Sequence, residues 1–182
     1  WHSQQPVKWL TSLIKDKELD IDPDSKIETL VSAKTYTDGP FPFYPMGCEP
    51  PVVNGAIHFV PTGAWSQFFC LPGGENTLAE GDYVIYLDLQ SDKDASNIQF
   101  TIQNGWGGDA QNMSLPLSVT AGRQTYKLKF PGVTGGNYDC ILKPQTADAT
   151  LDLYSVTVTQ LVKLNTIPLT PEEKKDTLTW AM

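Results

Sequence analysis

The stretch DYVIYLDLQ at residues 82–90 alternates apolar and polar side chains with a period of two, which is the pattern of a half-buried β-strand. The stretch NIQFTIQN at residues 97–104 repeats it, with Gln, Thr and Gln at the polar positions. Both stretches therefore predict strands with one face turned toward a core. The apolar positions are Tyr83, Ile85, Leu87, Leu89, Ile98, Phe100 and Ile102.

Three later stretches alternate in the same way, at residues 125–131, 138–143 and 150–161. Glycine-rich turns such as Pro72-Gly73-Gly74 and Gly135-Gly136 separate the predicted strands. Short strands at regular spacing with such turns are typical of an antiparallel β-sandwich or jelly roll. The sequence therefore predicts an all-β fold.

Both ends of the chain have a different pattern. Trp9, Leu10, Leu13 and Ile14 recur at helical spacing. Near the other end, Thr170-Pro-Glu-Glu173 has the form of a helix start with a capping box. We therefore expect short helical flanks at residues 1–19 and 169–182 around a sandwich at residues 20–168.

Composition excludes several classes of partner. The chain has 182 residues, a net charge of −8 and no basic run, which argues against nucleic acid and anionic membranes. It has no stretch of about 18 apolar residues, so we expect no membrane insertion. Cys48, Cys70 and Cys140 lack zinc-site spacing, and buried thiols are favoured over a disulfide, of which one at most could form.

No catalytic motif is apparent. The two histidines, His2 and His58, stand in unrelated contexts, and no nucleophile motif, phosphate loop or dinucleotide fingerprint occurs. Residues 20–31 begin like a calcium loop but carry Ser25 and Val31 where Gly and Glu are required. We therefore expect no enzymatic activity from this chain itself and no cofactor.

Two tryptophans and a row of amides form the candidate site. Trp106 is bracketed by glycines, and Trp65 stands where a strand begins. An indole on such a loop is easily presented to a ligand, although packing within the loop is the alternative. The Gln-Thr-Gln face offers amide donors and acceptors that suit sugar hydroxyls, although a solvated sheet face is the alternative.

The first ten residues, WHSQQPVKWL, resemble the third-strand segment of family-10 glycoside hydrolases, which are TIM-barrel xylanases. The end, TPEEKKDTLTWAM, is similar to the barrel helix that follows that strand. The resemblance implies that residues of about 20–168 are inserted in a β/α connection on the catalytic face. It also implies that this chain is a fragment, because the family's two catalytic glutamates have no counterpart in it.

The middle of the chain resembles carbohydrate-binding modules of families 4, 9 and 22, which are jelly rolls with a groove across one concave sheet. The resemblance is carried by LVSAKTYTDG at residues 30–39, AEGDYVIY at 79–86 and TLDLYSVTV at 150–158. It implies that Trp65 and Trp106 are groove aromatics and that Gln67 is an amide partner. Many such modules hold a structural calcium ion. Its expected ligand positions are Thr37 and Tyr154 here, with Asp152 left open as a substitute.

These patterns lead to the hypothesis that the groove takes an internal stretch of xylan and so directs a parent endo-1,4-β-xylanase to its substrate. The alternative is a structural or protein-interaction sandwich that binds no glycan. A second alternative is that the groove feeds chain into the barrel's own cleft. The expected carbohydrate-binding residues are Trp65, Gln67, Gln103, Asn104, Trp106, Asp109, Gln111, Asp139 and Lys143.

The same hypothesis sets the expected partners and location. The partners are xylan or xylo-oligosaccharide and the catalytic barrel in cis, and the chain is expected to be a monomer. The location is secreted or cell-surface, as part of the parent enzyme. The preference for xylan over cellulose comes from the family-10 resemblance and not from the groove residues.

Overall fold

A computed structural model of the chain describes residues 25–62, 66–106, 111–145 and 148–164. The helical flanks expected at residues 1–19 and 169–182 lie outside the described residues. The chain divides into two compact units, one formed by Trp1–Ile27 with Val162–Met182 and the other by Glu28–Leu161. In the first unit, the backbone N–H of Leu164 donates to the carbonyl of Ser25 over 3.1 Å.

The described residues form twelve strands and one 3₁₀ turn at Gly73–Glu75. The strands are β1 Lys26–Thr35, β2 Val52–Val53, β3 Ala56–Phe59, β4 Ser66–Leu71, β5 Thr77–Leu78, β6 Gly81–Ser91, β7 Ala95–Asn104, β8 Gln111–Val119, β9 Gly122–Val133, β10 Gly136–Asn137, β11 Asp139–Gln145 and β12 Leu151–Lys163. Among these described residues, no helix is long and apolar enough to cross a bilayer.

The strands form two main antiparallel sheets. One has the order β2-β3-β12-β6-β9, with β1 also paired to β12. The other has the order β4-β11-β7-β8, and β5 and β10 form a separate small pair. The predicted all-β antiparallel sandwich is therefore confirmed.

The core lies between these two sheets, as the alternation in the sequence requires. The four apolar residues of the 82–90 stretch are all buried in β6, as are the three of the 97–104 stretch in β7. Aromatic pairs join the sheets at two points. Phe100 of β7 lies 6.1 Å from Phe130 of β9, and Phe59 of β3 lies 5.8 Å from Phe68 of β4, measured between ring centroids.

The segment between β1 and β2 packs along β4. The hydroxyl of Tyr36 donates to the carbonyl of Cys70 over 2.6 Å, and the thiol of Cys48 donates to the carbonyl of Gln67 over 3.2 Å. Cys70 and Cys140 are buried free thiols, and Cys48 is a half-buried one. These contacts fix β4 as an ordered edge of the four-stranded sheet.

Candidate carbohydrate-binding face

The outward side of the four-stranded sheet is set by the alternation in β11. Cys140 and Leu142 are buried in the core, so Asp139, Ile141 and Lys143 take the other side of the strand. The antiparallel register extends these three positions across β7, where they pair with Gln103, Thr101 and Gln99 respectively. We call this side of the sheet the amide face. Its members are Gln67 and Phe69 of β4, the six residues just named, and Asn112, Ser114 and Pro116 of β8.

The middle row of the amide face is closed to water. Phe69 pairs with Ile141, which in turn pairs with Thr101, and all three are buried. The hydroxyls of Thr101 and Ser114 lie 2.7 Å apart and satisfy each other. A ligand on this face would therefore make its contacts on either side of the middle row.

On one side of the middle row stands Trp106, which is 63% exposed. Its ring meets that of Phe69 edge-on, with centroids 6.1 Å apart and planes at 74°. The side-chain amide of Gln103 donates to the carbonyl of Gly105 over 2.9 Å, in the turn that leads to Trp106. Gly105 has φ of +85°, a conformation that glycine adopts at little cost. The indole is thus both exposed and held in a defined position.

Asp139 lies in the same row as Gln103, but its carboxylate is already engaged. One of its oxygens accepts the backbone N–H of Gly73 over 2.6 Å. This contact satisfies the first N–H of the 73–75 turn, a group that has no partner within the turn. Asp139 therefore anchors that turn to β11, and only its remaining oxygen is free to bind a hydroxyl.

On the other side of the middle row lies Lys143, between two amides. It pairs in register with Gln99 of β7. Gln67 of β4 falls at the same level, between the Phe68–Leu142 and Ser66–Gln145 pairings. Lys143 is half-buried, and burial lowers the pKa of its ammonium group. No ion-pair partner for Lys143 is present among the described residues.

Asn104 and Gln111 are not brought to the amide face. The amide of Asn104 lies against Gly136, where even an added Cβ atom would clash with it. Gln111 accepts hydrogen bonds from the hydroxyls of Thr134 and Tyr138, the latter over 3.1 Å. Asn104 is turned away from the amide face because side chains alternate along a strand. It follows Gln103 directly and so faces the opposite side of β7.

Two further predicted residues, Trp65 and Asp109, lie outside the described residues. Phe69 was missed as the support of the exposed indole. The Phe-Phe pair at 68–69 could have indicated this role. Two consecutive strand residues cannot both face the core, so one of the two rings has to lie on the outward side. The structure thus brings together Gln67, Gln103, Trp106, Asp139 and Lys143, and it adds Phe69 beneath them.

On the other sheet, Asp152 and Tyr154, two of the positions considered for calcium, have partners of their own. The Nδ1 atom of His58 and a carboxylate oxygen of Asp152 lie 2.6 Å apart. The guanidinium carbon of Arg123 lies 3.6 Å from the ring centroid of Tyr154. In the described part of the chain, no three His, Cys, Asp or Glu side chains come close enough to hold a metal ion.

No family model matches the chain, and no curated protein matches it significantly. Several solved structures are similar in fold. BiXyn10A CBM1 in its apo form has a TM-score of 0.47 and 13% identity, covering 75% of this chain and 99% of that one. The CBM22-1–GH10 modules of Clostridium thermocellum xylanase 10B, complexed with xylohexaose, have a TM-score of 0.43 and 14% identity, covering 81% of this chain and 30% of that one.

A third similar structure is the carbohydrate-binding module CBM6cm-2 of Cellvibrio mixtus lichenase 5A, in complex with cellotriose. It has a TM-score of 0.40 and 14% identity, covering 75% of this chain and 92% of that one. The three similar structures thus contain carbohydrate-binding modules. With all three TM-scores below 0.5, the function proposed below rests on the residues of the amide face.

Proposed function

We propose that this chain is a non-catalytic module that binds internal stretches of xylan on the amide face. The observation that carries this function is Trp106, an exposed indole supported by Phe69 and positioned through Gln103. A pyranose ring has one face of C–H groups, and that face stacks favourably on an indole. Stacking would supply most of the affinity and the amides would fix the orientation of the sugar.

The charge of the amide face supports a neutral polymer as the ligand. The four strands contain two charged residues, Asp139 and Lys143, and the rest of their polar residues are amides and hydroxyls. Neutral amides bind hydroxyls without the desolvation cost that a charged group carries. Such a surface fits a chain of sugars better than it fits nucleic acid or an acidic peptide.

Xylan is proposed as the polymer because residues 1–10 resemble a xylanase barrel segment. A module carried by such an enzyme would hold the catalytic barrel next to its substrate. The gain is in effective concentration, since tethering raises the local substrate level without changing the chemistry. Such a parent would act outside the cell, where plant polysaccharide is found.

Titration calorimetry of the chain with xylohexaose and cellohexaose tests this function. We expect heat with xylohexaose and a loss of about tenfold or more in affinity for Trp106→Ala, equivalent to about 1.4 kcal/mol. Tyr44→Ala is the matched control, because Tyr44 is 76% exposed but lies in the segment between β1 and β2. That control should leave the affinity unchanged.

Each outcome has a distinct meaning. Equal affinity for the two oligosaccharides would refute the preference for xylan while leaving glycan binding in place. Absence of heat with both, together with unchanged retention of Trp106→Ala on insoluble xylan, would overturn the function. A structural or protein-interaction role for the exposed indole would then be favoured.

A further inference from the structure

The two charged residues of the four-stranded sheet lie on the same strand but cannot pair with each other. Asp139 and Lys143 are four residues apart on β11, a separation of about 13 Å along a strand. The carboxylate of Asp139 is also engaged by the N–H of Gly73. The ammonium group of Lys143 is therefore left on the amide face without a counter-charge from the residues that the structure describes.

Two other lysines among the described residues do have ion-pair partners. Lys34 pairs with Glu75 at 2.9 Å, and Lys93 pairs with Asp148 at 3.1 Å. Lys143 is half-buried, and the burial lowers its pKa, which means that its charge is poorly solvated. A ligand that brings a negative charge to this position would restore the stabilisation that water no longer gives.

The neighbours of Lys143 can complete the binding of a carboxylate. Gln99 lies beside it on β7 and Gln67 at the same level on β4, so an amide N–H is available on each side. A carboxylate accepts several hydrogen bonds at once, and those from a charged donor are the strongest. Ile141, two residues along β11 and buried, separates this position from the row of Trp106.

We propose that Lys143, flanked by Gln67 and Gln99, is an anion subsite that binds the carboxylate of a uronic acid substituent on the glycan chain. The subsite rests on the proposed function, since the main chain of the glycan would be held by Trp106. Neighbouring rows of a strand face are about 7 Å apart, so Lys143 lies two rows, about 13 Å, from the row of Trp106, and the substituent would be carried by a sugar further along the chain, beyond the buried middle row. The module would then prefer acidic xylan to undecorated xylan.

Calorimetry with two xylo-oligosaccharides of equal length, one carrying a single glucuronic acid branch, tests this subsite. We expect the native chain to bind the branched ligand about tenfold more tightly, the gain expected for one hydrogen bond to a charged group. Lys143→Gln should abolish this preference, so that the variant binds the branched and the undecorated ligand with equal affinity. The preference should also shrink as salt is raised, because ions screen a partly exposed charge.

Two further variants make the outcome decisive. Lys129→Gln removes the same charge from an exposed position on β9, in the other sheet, and should keep the preference intact. Lys143→Met retains the apolar stem of the side chain and replaces Lys143→Gln if that variant melts early. Equal binding of both ligands by the native chain would overturn the subsite while the proposed function stands. An equal loss for both ligands in Lys143→Gln would also overturn it.

Discussion

The side-chain amide of Gln103 donates a hydrogen bond to the carbonyl of Gly105, two residues further along the chain. Gln103 is itself buried beside Thr101 and so is poorly placed to reach a ligand. Its amide instead holds the turn that carries Trp106 at the end of β7. The residue is therefore a positioning residue for the indole, although it was expected from the sequence to contact sugar.

The variant Gln103→Ala should weaken xylohexaose binding several-fold while the chain remains folded. Without the bond to Gly105 the turn gains freedom, and binding must then order it again. The free energy of unfolding should fall by about 1 kcal/mol, the value of one hydrogen bond. Calorimetry and thermal melting measure the two effects. The control is Gln124→Ala, on β9 of the other sheet, which removes an amide that bonds Thr120 in the preceding turn and should leave affinity unchanged.

Asn76 should be a sensitive point for stability. It is fully buried, its amide donates to the carbonyl of Tyr138 over 2.9 Å, and its side-chain oxygen accepts from the hydroxyl of Ser32. Replacement by alanine leaves both partners without this bond, at a cost of about 2–3 kcal/mol. Urea unfolding of Asn76→Ala measures the loss. Asn137→Ala removes an exposed bond to Thr77 and should cost far less.

The ion pair between Asp88 and Arg123 should make stability depend on pH in the acid range. Two guanidinium N–H groups donate to the carboxylate over 2.9 and 2.8 Å, and they lower the pKa of Asp88. A carboxyl group whose pKa is lowered by folding stabilises the folded state at pH values above its unfolded-state pKa, which is near 3.9. This stabilisation is lost as the pH falls through the folded-state pKa. Melting temperatures between pH 7 and pH 2 measure this dependence.

For Asp88→Asn we expect a lower melting temperature at pH 7 and a smaller further decrease in acid. The comparison variant is Asp148→Asn. Asp148 pairs with Lys93 but is largely exposed, so water and salt screen that pair. If both variants showed the same acid profile as the native chain, the Asp88–Arg123 pair would have no role in acid stability.

The three thiols should differ in reactivity according to their burial. Burial raises the pKa of Cys70 and Cys140 strongly and that of the half-buried Cys48 less so. Because the thiolate is the reactive form, a thiol reagent at pH 8 should label Cys48 first and the other two only after unfolding in urea. Cys48→Ser should abolish the native-state reaction. Rapid labelling of that variant without urea would contradict the burial of Cys70 and Cys140.

The sandwich could be predicted because alternation reports directly on burial in β-strands. In β6 and β7 each apolar position of the sequence pattern is buried, and each intervening position faces the other side of its sheet. The outcome for β11 is similar, with Cys140 and Leu142 in the core. The alternation of side chains between the two faces of a strand is a local property of the backbone. It can therefore be read from the sequence without knowing which distant residues the strand will contact.

The site was harder to predict because a face is shaped by residues that are distant in sequence. Alternation placed Thr101 and Gln103 on the outward side, yet both are buried. Asn104 and Gln111 were expected on the groove, but they pack against the connection that contains Thr134 and Gly136. Those contacts depend on the pairing of β7 with β8 and on the path of the chain after β9. Alternation along β7 does separate Asn104 from Gln103, but the strand pairing and the path of the chain are not encoded in the local pattern.

The hydrogen bond between Ser25 and Leu164 has a consequence for how such a sandwich can be combined with other proteins. Two backbone positions joined in this way are separated by no more than the spacing of adjacent strands, about 5 Å. A host domain could therefore receive the whole segment within a single surface loop, with its own chain interrupted at nearly one point. Such a graft needs no flexible spacer, because the two ends of the segment already lie side by side.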